Sequence, residues 1–394
     1  MNRKVAIIIE RADITLGGAE RSVSELRGAL SAIGYTVDIL AAKGRTNAKN
    51  IYILCKETPG KRVNYFVFEK AIRQHLYQNK YDIIHSVLPF DFADVYQPRG
   101  GTYAETIIRN ASSYQNKFIE YYKRLTAVTN SRRTTLLRAE RRLSQAPDGP
   151  VIAALSKYVE KQFKQHYNTD AQRIVVIPNG VKTDKHIRTA QANALRSQIL
   201  LKLRLKEADN PVLFLFVANN FRLKGLLPLI QAMQISARKN TGRKAYLIVA
   251  GNNKTKKYNR LINSSMEKNT VFLGPLSHIQ NAFSIIDVAV LPTFYDPSSR
   301  FILEALAADK PVITTKFNGA IDMFVNNRHG KVIDSPRDLQ ALAEAIIYFT
   351  NTNNIQKASK AIIEDNLKEE ISISRVAKQM HNVYESILKR KGLE

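Results

Sequence analysis

The chain has 394 residues, too many for one compact core, so two domains of ordinary size are expected. An apolar content of 44% argues against disorder, no run of 18 apolar residues is available to span a membrane, and a single cysteine, Cys55, excludes an intramolecular disulfide and a cysteine zinc cluster while fitting a reducing compartment. Sixty Lys and Arg against 34 Asp and Glu leave a net charge of +26, which favours a polyanionic partner such as nucleic acid, anionic lipid or phosphorylated glycan.

The first apolar run, Val5 to Ile9, is five residues long and ends at Glu10 without a small-residue cleavage site. It reads as a strand over 4–9 rather than as a signal peptide. Further strands are expected at 36–41, 81–85, 151–155 and 173–177, and a second series at 212–218, 245–250, 270–273, 287–291 and 311–315. Helices are expected between them, for example at 20–32, 156–166, 225–237 and 299–308, and an amphipathic helix at 370–390. Strand–helix alternation with apolar strands predicts parallel sheets covered on both faces. Two series predict an α/β chain of two doubly wound domains, divided near 183–190 after the turn Pro178-Asn179-Gly180.

Ligands of open parallel sheets bind beyond the carboxyl ends of the strands, so the loops there are the candidates for chemistry. After strand 212–218 come Asn219, Arg222, Lys224 and Gly225. Two cations at a strand-to-helix turn suit a phosphate group. The alternative is a solvated basic loop. After strand 287–291 come Asp296 and, eight residues on, Glu304. Asp296 can bind sugar hydroxyls, the amides of Ser299, Arg300, Phe301 and Ile302 can hold phosphate oxygens, and Glu304 can accept ribose hydroxyls. An ordinary turn acid and a helix-surface acid are the alternative. After strand 4–9 come Gly17 and Gly18, which permit positive φ and close backbone approach to a ligand, or simply a tight turn.

Residues 117–142 carry eight basic and two acidic side chains, among them Arg132, Arg133, Arg141 and Arg142, with Phe118, Ile119, Tyr121, Tyr122 and Leu125 interleaved. This suits one or two basic amphipathic helices resting on anionic lipid. The other reading packs the apolar residues on the first domain and leaves the cations solvated. His85, at the end of a strand, is expected to be packed or hydrogen-bonded rather than a base. Seven scattered histidines and no Asp-x-Asp element point to no metal site.

Together these features resemble glycosyltransferase family 4 over nearly the whole chain. The strongest part is Tyr295–Thr315, "YDPSSRFILEALAADKPVITT", which is similar to the family's Glu-x7-Glu element and following strand. "GGAER" at 17–21, "IPNGV" at 177–181 and "LKG" at 223–225 match in order and spacing. "FVANNFRLKG" at 216–225, "HYNTDAQRI" at 166–174 and "DVYQPRGGTYAE" at 94–105 are similar to the bacterial lipopolysaccharide-core glucosyltransferases of that family.

The resemblance implies a GT-B fold, two Rossmann-like domains facing a central cleft. It implies an acceptor domain over 1–186, a nucleotide-sugar domain over 187–368, and a last helix over 369–394 returning to the first domain. It implies that Gly17 and Gly18 approach the donor phosphates, Lys224 binds the diphosphate, Glu304 holds the ribose and Asp296 lies near the transferred sugar.

The expected activity is retaining, metal-independent transfer of a hexose from a nucleotide sugar, UDP by resemblance, to a cell-envelope glycan or glycolipid such as a lipopolysaccharide core. The donor is a co-substrate and no cofactor is expected. An anionic membrane surface is the expected partner and the inner face of the cytoplasmic membrane the expected place. Without a helix-turn-helix, zinc or ribonucleoprotein signature no nucleic acid is expected. An inactive GT-B scaffold or a basic polyanion-binding protein are the rival readings.

Three positions depart from the pattern. Asp296 is one methylene shorter than the usual Glu. Asn219 replaces the usual Arg, with Arg222 three residues on as its substitute. Gly100, flanked by Arg99 and Gly101, stands where the subgroup has an Asp near the reacting centre. Arg99 is carried as an acceptor-side candidate, and no catalytic base is carried over.

Overall fold

The computed structural model describes residues 3–13, 17–44, 48–56, 62–184, 186–239, 242–251 and 269–393, with Thr255, Tyr258 and Ile262. Contacts divide the chain into two units. The first contains Met1–Ala111, Gln115–Val181 and Ser372–Glu394; the second contains Ser112–Tyr114 and Lys182–Ile371.

Among the described residues, the first unit is built on strands β1 Lys4–Arg11, β2 Thr36–Lys43, β3 Ile51–Ile53, β4 Ile83–Ser86, β5 Val95–Tyr96, β6 Val151–Ala154 and β7 Ile174–Val176. All pair in parallel, in the order β3-β2-β1-β4-β5-β6-β7. The continuous apolar run of β1 is explained by burial on both faces. Val5, Ile7 and Ile9 enter one core and Ala6 and Ile8 the other, as the two-residue period of a strand requires. Helices α1 Gly18–Ala32, α2 Tyr65–Gln78, α3 Tyr103–Ser112, α4 Lys117–Leu125, α5 Ser131–Gln145 and α6 Lys157–Tyr167 connect them. Side-chain oxygens of Asn64, Asn116, Asn130 and Ser156 cap α2, α4, α5 and α6, which is why those helices begin where they do.

The second unit has strands β8 Val212–Ala218, β9 Ala245–Gly251, β10 Thr270–Gly274, β11 Val288–Leu291, β12 Val312–Thr315 and β13 Gly330–Ile333, parallel throughout in the order β10-β9-β8-β11-β12-β13. Its described helices are α7 Thr189–Leu203, α8 Leu226–Lys239, α9 Ile279–Ile285, α10 Arg300–Leu306, α11 Leu339–Tyr348, α12 Thr352–Glu364 and α13 Leu367–Glu370. The final helix, α14 Ile373–Arg390, belongs to the first unit. It buries Val376, Ala377, Met380, Val383, Tyr384, Ile387 and Leu388 against α1 and the sheet, and each large side chain removed from water there contributes roughly 1.5–3 kcal/mol. Gly180 admits this helix, because a Cβ there would meet Val376 at 2.6 Å and the Ser372 carbonyl at 2.7 Å.

Segment 117–142 divides in two. Helix α5 follows the packed reading, with Leu136, Ala139 and Leu143 buried. Helix α4 does not: none of its residues is buried, and Phe118, Tyr121 and Tyr122 are 87%, 65% and 61% exposed.

One buried acid couples this unit to pH. Glu140 on α5 accepts from the hydroxyls of Tyr96 at 2.7 Å and Tyr167 at 2.5 Å and from the amide of Tyr103 at 2.7 Å. Burial nevertheless pushes its pKa up from 4.5 to about 7. A carboxyl that binds its proton more tightly when folded stabilises below pH 4.5, and that contribution is lost as pH rises through 7. Urea melts between pH 5 and 8 are expected to show the loss, on the order of 3 kcal/mol. Glu140→Gln should flatten the slope, and an unaltered slope in that variant would assign it elsewhere.

Candidate functional site

In the second unit the loops after β8 and β11 are joined. The amide of Phe294 donates to the Leu223 carbonyl at 2.9 Å, and the hydroxyl of Thr293 to the same oxygen at 3.2 Å. Gly225 has φ +81°, and a Cβ on it would lie 1.9 Å from the Pro292 carbonyl oxygen, so this contact requires glycine. The junction sets Lys224 against the second loop. Its Nζ lies 2.7 Å from Asp296 Oδ2 and 2.9 Å from the Tyr295 carbonyl. The Asp296 backbone is fixed in turn, donating to the Phe317 carbonyl at 2.9 Å and accepting from Gly319 at 2.8 Å. Its Oδ1 accepts from the Ser298 amide at 3.3 Å. A cation and a carboxylate are thus held together at the carboxyl edge of the sheet, with donors and acceptors for a phosphorylated, polyhydroxylated ligand.

Several expected site residues are placed differently from their simplest reading. Asn219 is exposed. Arg222 is not turned to the Lys224–Asp296 pair. Its guanidinium lies over the Tyr114 ring at 3.9 Å and bonds to the Ser113 hydroxyl, both in the short segment that packs with this unit. Of the amides from Ser299 to Ile302, that of Ser299 donates to Asn318 Oδ1 at 3.1 Å and that of Ile302 to the Ser299 hydroxyl, the cap of α10. Those two are committed inside the protein, so the quartet is not a fully open phosphate cradle. Phe301 is buried and stacks on Phe283 at 5.7 Å between centroids. Glu304 is buried on the second turn of α10, with Oε1 3.2 Å from Arg300 Nη2. Asn318 carried no sequence signal for its role, yet it is buried and supports both Ser299 and Ala320.

In the first unit, Gly17 precedes α1 in extended backbone, φ 177°, so it does not use the left-handed freedom expected of it; a Cβ there would meet Glu20 Oε2 at 3.1 Å. Gly18 opens α1 and is exposed. Gly100 is exposed with nothing within 4 Å of an added Cβ, and Gly101 has φ +68°.

Arg99 points into the fold. Its Nη1 donates to Ser22 Oγ at 2.6 Å and Asn179 Oδ1 at 3.1 Å, and Ser22 donates to Asn179 at 2.9 Å. It ties α1, the β5 loop and the turn after β7 into one edge. His85 is fully buried and shares a 2.6 Å hydrogen bond with the Tyr384 hydroxyl. Burial, then the charge of Arg99, pushes its pKa down to about 3, which leaves a packed neutral ring and no base.

Arg132 is also an internal residue. It pairs with Glu10 at 2.8 Å and donates to the Val63 carbonyl at 2.8 Å. The expectation that it faces lipid is corrected on that ground. Arg133 is half-buried, Arg141 is exposed, and Arg142 is exposed and lies 3.5 Å from Asp91.

Residues 200–368 match the family of "Glycosyl transferases group 1" and residues 16–185 that of "Glycosyltransferase Family 4". The chain is 23% identical over 340 residues to the lipopolysaccharide glucosyltransferase WaaG of Escherichia coli strain K12, spanning 84% of this chain and 85% of that one. In fold it is similar to the crystal structure of WaaG, a glycosyltransferase involved in lipopolysaccharide biosynthesis, with a TM-score of 0.67 at 20% identity and 98% of both chains covered. It is also similar to Anabaena Alr3699/HepE in complex with UDP and glucose, with a TM-score of 0.68 at 16% identity, covering 98% of this chain and 100% of that one. No described helix is long and apolar enough to cross a membrane.

Proposed function

The chain belongs to glycosyltransferase family 4 and has the two-domain GT-B fold, and from that premise we propose that it moves a hexose from a UDP-sugar to a cell-envelope glycan or glycolipid, retaining the anomeric configuration and using no metal ion. The observation that carries the reading is the Lys224–Asp296 pair in the loop junction of the second unit. Lys224 stabilises the diphosphate as negative charge grows on it, and Asp296 accepts from hydroxyls of the sugar. The bond from C1 to the diphosphate oxygen breaks, a bond from C1 to the acceptor oxygen forms on the same face, and the acceptor's proton passes to the departing diphosphate. UDP as the nucleotide is supported by the UDP complexes of HepE, and an envelope acceptor by the likeness to WaaG.

A panel of nucleotide sugars read by thermal shift tests the donor. A ligand at 100 times its Kd stabilises by about 2.7 kcal/mol. UDP-hexoses should raise the melting temperature and should release UDP on incubation with a truncated lipopolysaccharide. Absence of both responses across the panel sinks the proposal.

Glu304 is proposed to accept the ribose hydroxyls, with Arg300 beside it on α10. Glu304→Gln keeps the shape and removes the charge, so UDP affinity should fall by about 1.5–3 kcal/mol. A 2′-deoxy analogue should lose less. Equal losses for the two nucleotides, measured by calorimetry, would remove Glu304 from the ribose.

A further inference from the structure

The second unit has a cavity at the edge of its sheet opposite the Lys224–Asp296 pair. That pair follows the carboxyl ends of β8 and β11. The cavity, of about 390 Å³, is lined by Gly330, the first residue of β13, and by Tyr348 and Phe349, where α11 ends. Gly330 pairs with Val312, the first residue of β12, so this is the amino edge. Helix α11 leaves the carboxyl edge after β13 and brings its last turn back here. Strands β12 and β13 are each four residues long. At the rise of a strand that separates the two edges by about 13 Å. A nucleotide bound at the Lys224 loop therefore leaves this cavity unfilled.

The lining is part apolar and part cationic. Phe349, Ala358 and Ala361 are buried and form the floor, while Arg328 and Lys357 are exposed at the rim. Two cations are already spent. Arg328 holds Asp365 through hydrogen bonds of 2.6 and 2.5 Å, and Lys360 lies 3.6 Å from Glu364, the acid of the lining. Two others, Lys331 and Lys357, have no carboxylate partner among the described residues. Lys331 is half-buried on β13, with its Nζ 3.9 Å from the centre of the Tyr348 ring and 2.8 Å from Asn327 Oδ1. Tyr348 and Asn327 both line the cavity, so this ammonium stands at its wall. Burial lowers the Lys331 pKa, as for a charge that has lost water and met no counter-ion. Asn327, at φ +66°, is fixed by its amide bond to the Gly330 carbonyl at 2.8 Å. With Oδ1 taken by Lys331, its side-chain NH2 remains to donate to a hydroxyl.

The volume falls in the range of small-molecule sites, which combine apolar walls with a few polar groups. A bare phosphate would meet the two ammonium groups and leave the floor wet. A hexose offers C–H faces to Tyr348 and the alanines and hydroxyls to Asn327. We propose that this cavity binds a phosphorylated sugar, with the phosphate held by Lys331 and Lys357 and the ring on the apolar floor beside Tyr348. No bond is made or broken there, and the site is separate from the transfer chemistry. The ligand is either a free hexose phosphate or a phosphorylated residue of a glycan, which share this chemistry.

The test is calorimetry on the full-length protein with UDP present at saturation, so that the donor site is closed to the probe. Glucose 6-phosphate should bind saturably, and glucose and inorganic phosphate should each bind at least about 10-fold more weakly. Lys331→Met keeps the length over Tyr348 and removes the charge, and should lower the affinity for glucose 6-phosphate by about 10-fold or more. Lys357→Gln, at an exposed position that folding does not depend on, should lower it by about threefold. UDP affinity should be unchanged in both variants, since neither lysine belongs to the donor loops. A phosphorylated lipopolysaccharide oligosaccharide freed of its acyl chains, compared with its phosphatase-treated form, separates the sources. Tighter binding than glucose 6-phosphate, lost on phosphatase treatment, assigns the site to a glycan, and weaker binding assigns it to the free sugar phosphate. No saturable binding of glucose 6-phosphate, equal binding of inorganic phosphate alone, or wild-type affinity in Lys331→Met or in Lys357→Gln overturns the proposal.

Discussion

Lys224→Ala is expected to weaken UDP binding by about 1.5–3 kcal/mol, because a charge-assisted contact to the diphosphate is lost. Transfer should slow by about 100- to 1,000-fold, since the same charge is needed more as the leaving group develops. The structure adds a second consequence. Lys224 is the counter-ion of Asp296, whose side chain is only 14% exposed. Removing it leaves a carboxylate near the sugar without its cation, so the sugar-binding group should also lose its orientation. Lys224→Arg keeps the charge but brings a planar fork to a place shaped for a point charge, and should recover affinity for UDP better than rate. Isothermal calorimetry with UDP and a coupled assay of UDP release separate the two effects. Wild-type affinity and turnover in Lys224→Ala would place the diphosphate elsewhere and leave the pair as a structural link between two loops.

What could be read from the sequence follows the physics of each element. The long strands were visible because burial on both faces writes a continuous apolar run, as in Val5–Ile9 and in Val212–Ala218. Strand β3 has three residues and β5 two, and β13 opens on Gly330, so none of them carries a run long enough to register. The family resemblance rested on loops whose residue types are constrained by chemistry, and it led to Lys224 and Asp296, which the fold brings within 2.7 Å. Charge alone misled where it could not distinguish solvent from interior. Arg99 and Arg132 count toward the basic excess, yet they spend their guanidinium groups on Ser22, Asn179, Glu10 and the Val63 carbonyl. In the sequence Glu10 marks only the end of an apolar run, because nothing local marks a carboxylate whose partner lies more than a hundred residues away. The neighbours of Arg222 in the chain suggest a phosphate ligand, whereas its stacking on Tyr114 depends on a segment distant in sequence.

Helix α4 is expected to carry the protein to anionic membranes. It begins at an Asn116 cap, presents Phe118, Tyr121, Tyr122 and Leu125 to solvent, and adds Lys117, Lys123 and Arg124. An isolated nine-residue helix with no buried face gains little from water, whereas aromatic rings at a headgroup boundary gain both an apolar and a polar contact. Each cation near an anionic surface contributes about 1 kcal/mol. Replacing Lys117, Lys123 and Arg124 with Gln should therefore lower partitioning into phosphatidylglycerol vesicles by about 100-fold. Phosphatidylcholine vesicles should bind weakly from the start. Added salt should mimic the substitutions, because the attraction is screened within about 10 Å at 0.1 M.

Arg132 is left out of the set because its loss would break the pair with Glu10 and confuse anchoring with the stability of the first unit. Release of UDP from a donor in free solution should persist in the triple variant, since α4 contains none of the donor-loop residues. Co-sedimentation decides the matter: wild-type protein that stays in the supernatant with phosphatidylglycerol vesicles at low salt would leave α4 without a lipid partner, and the acceptor would no longer need to be lipid-linked.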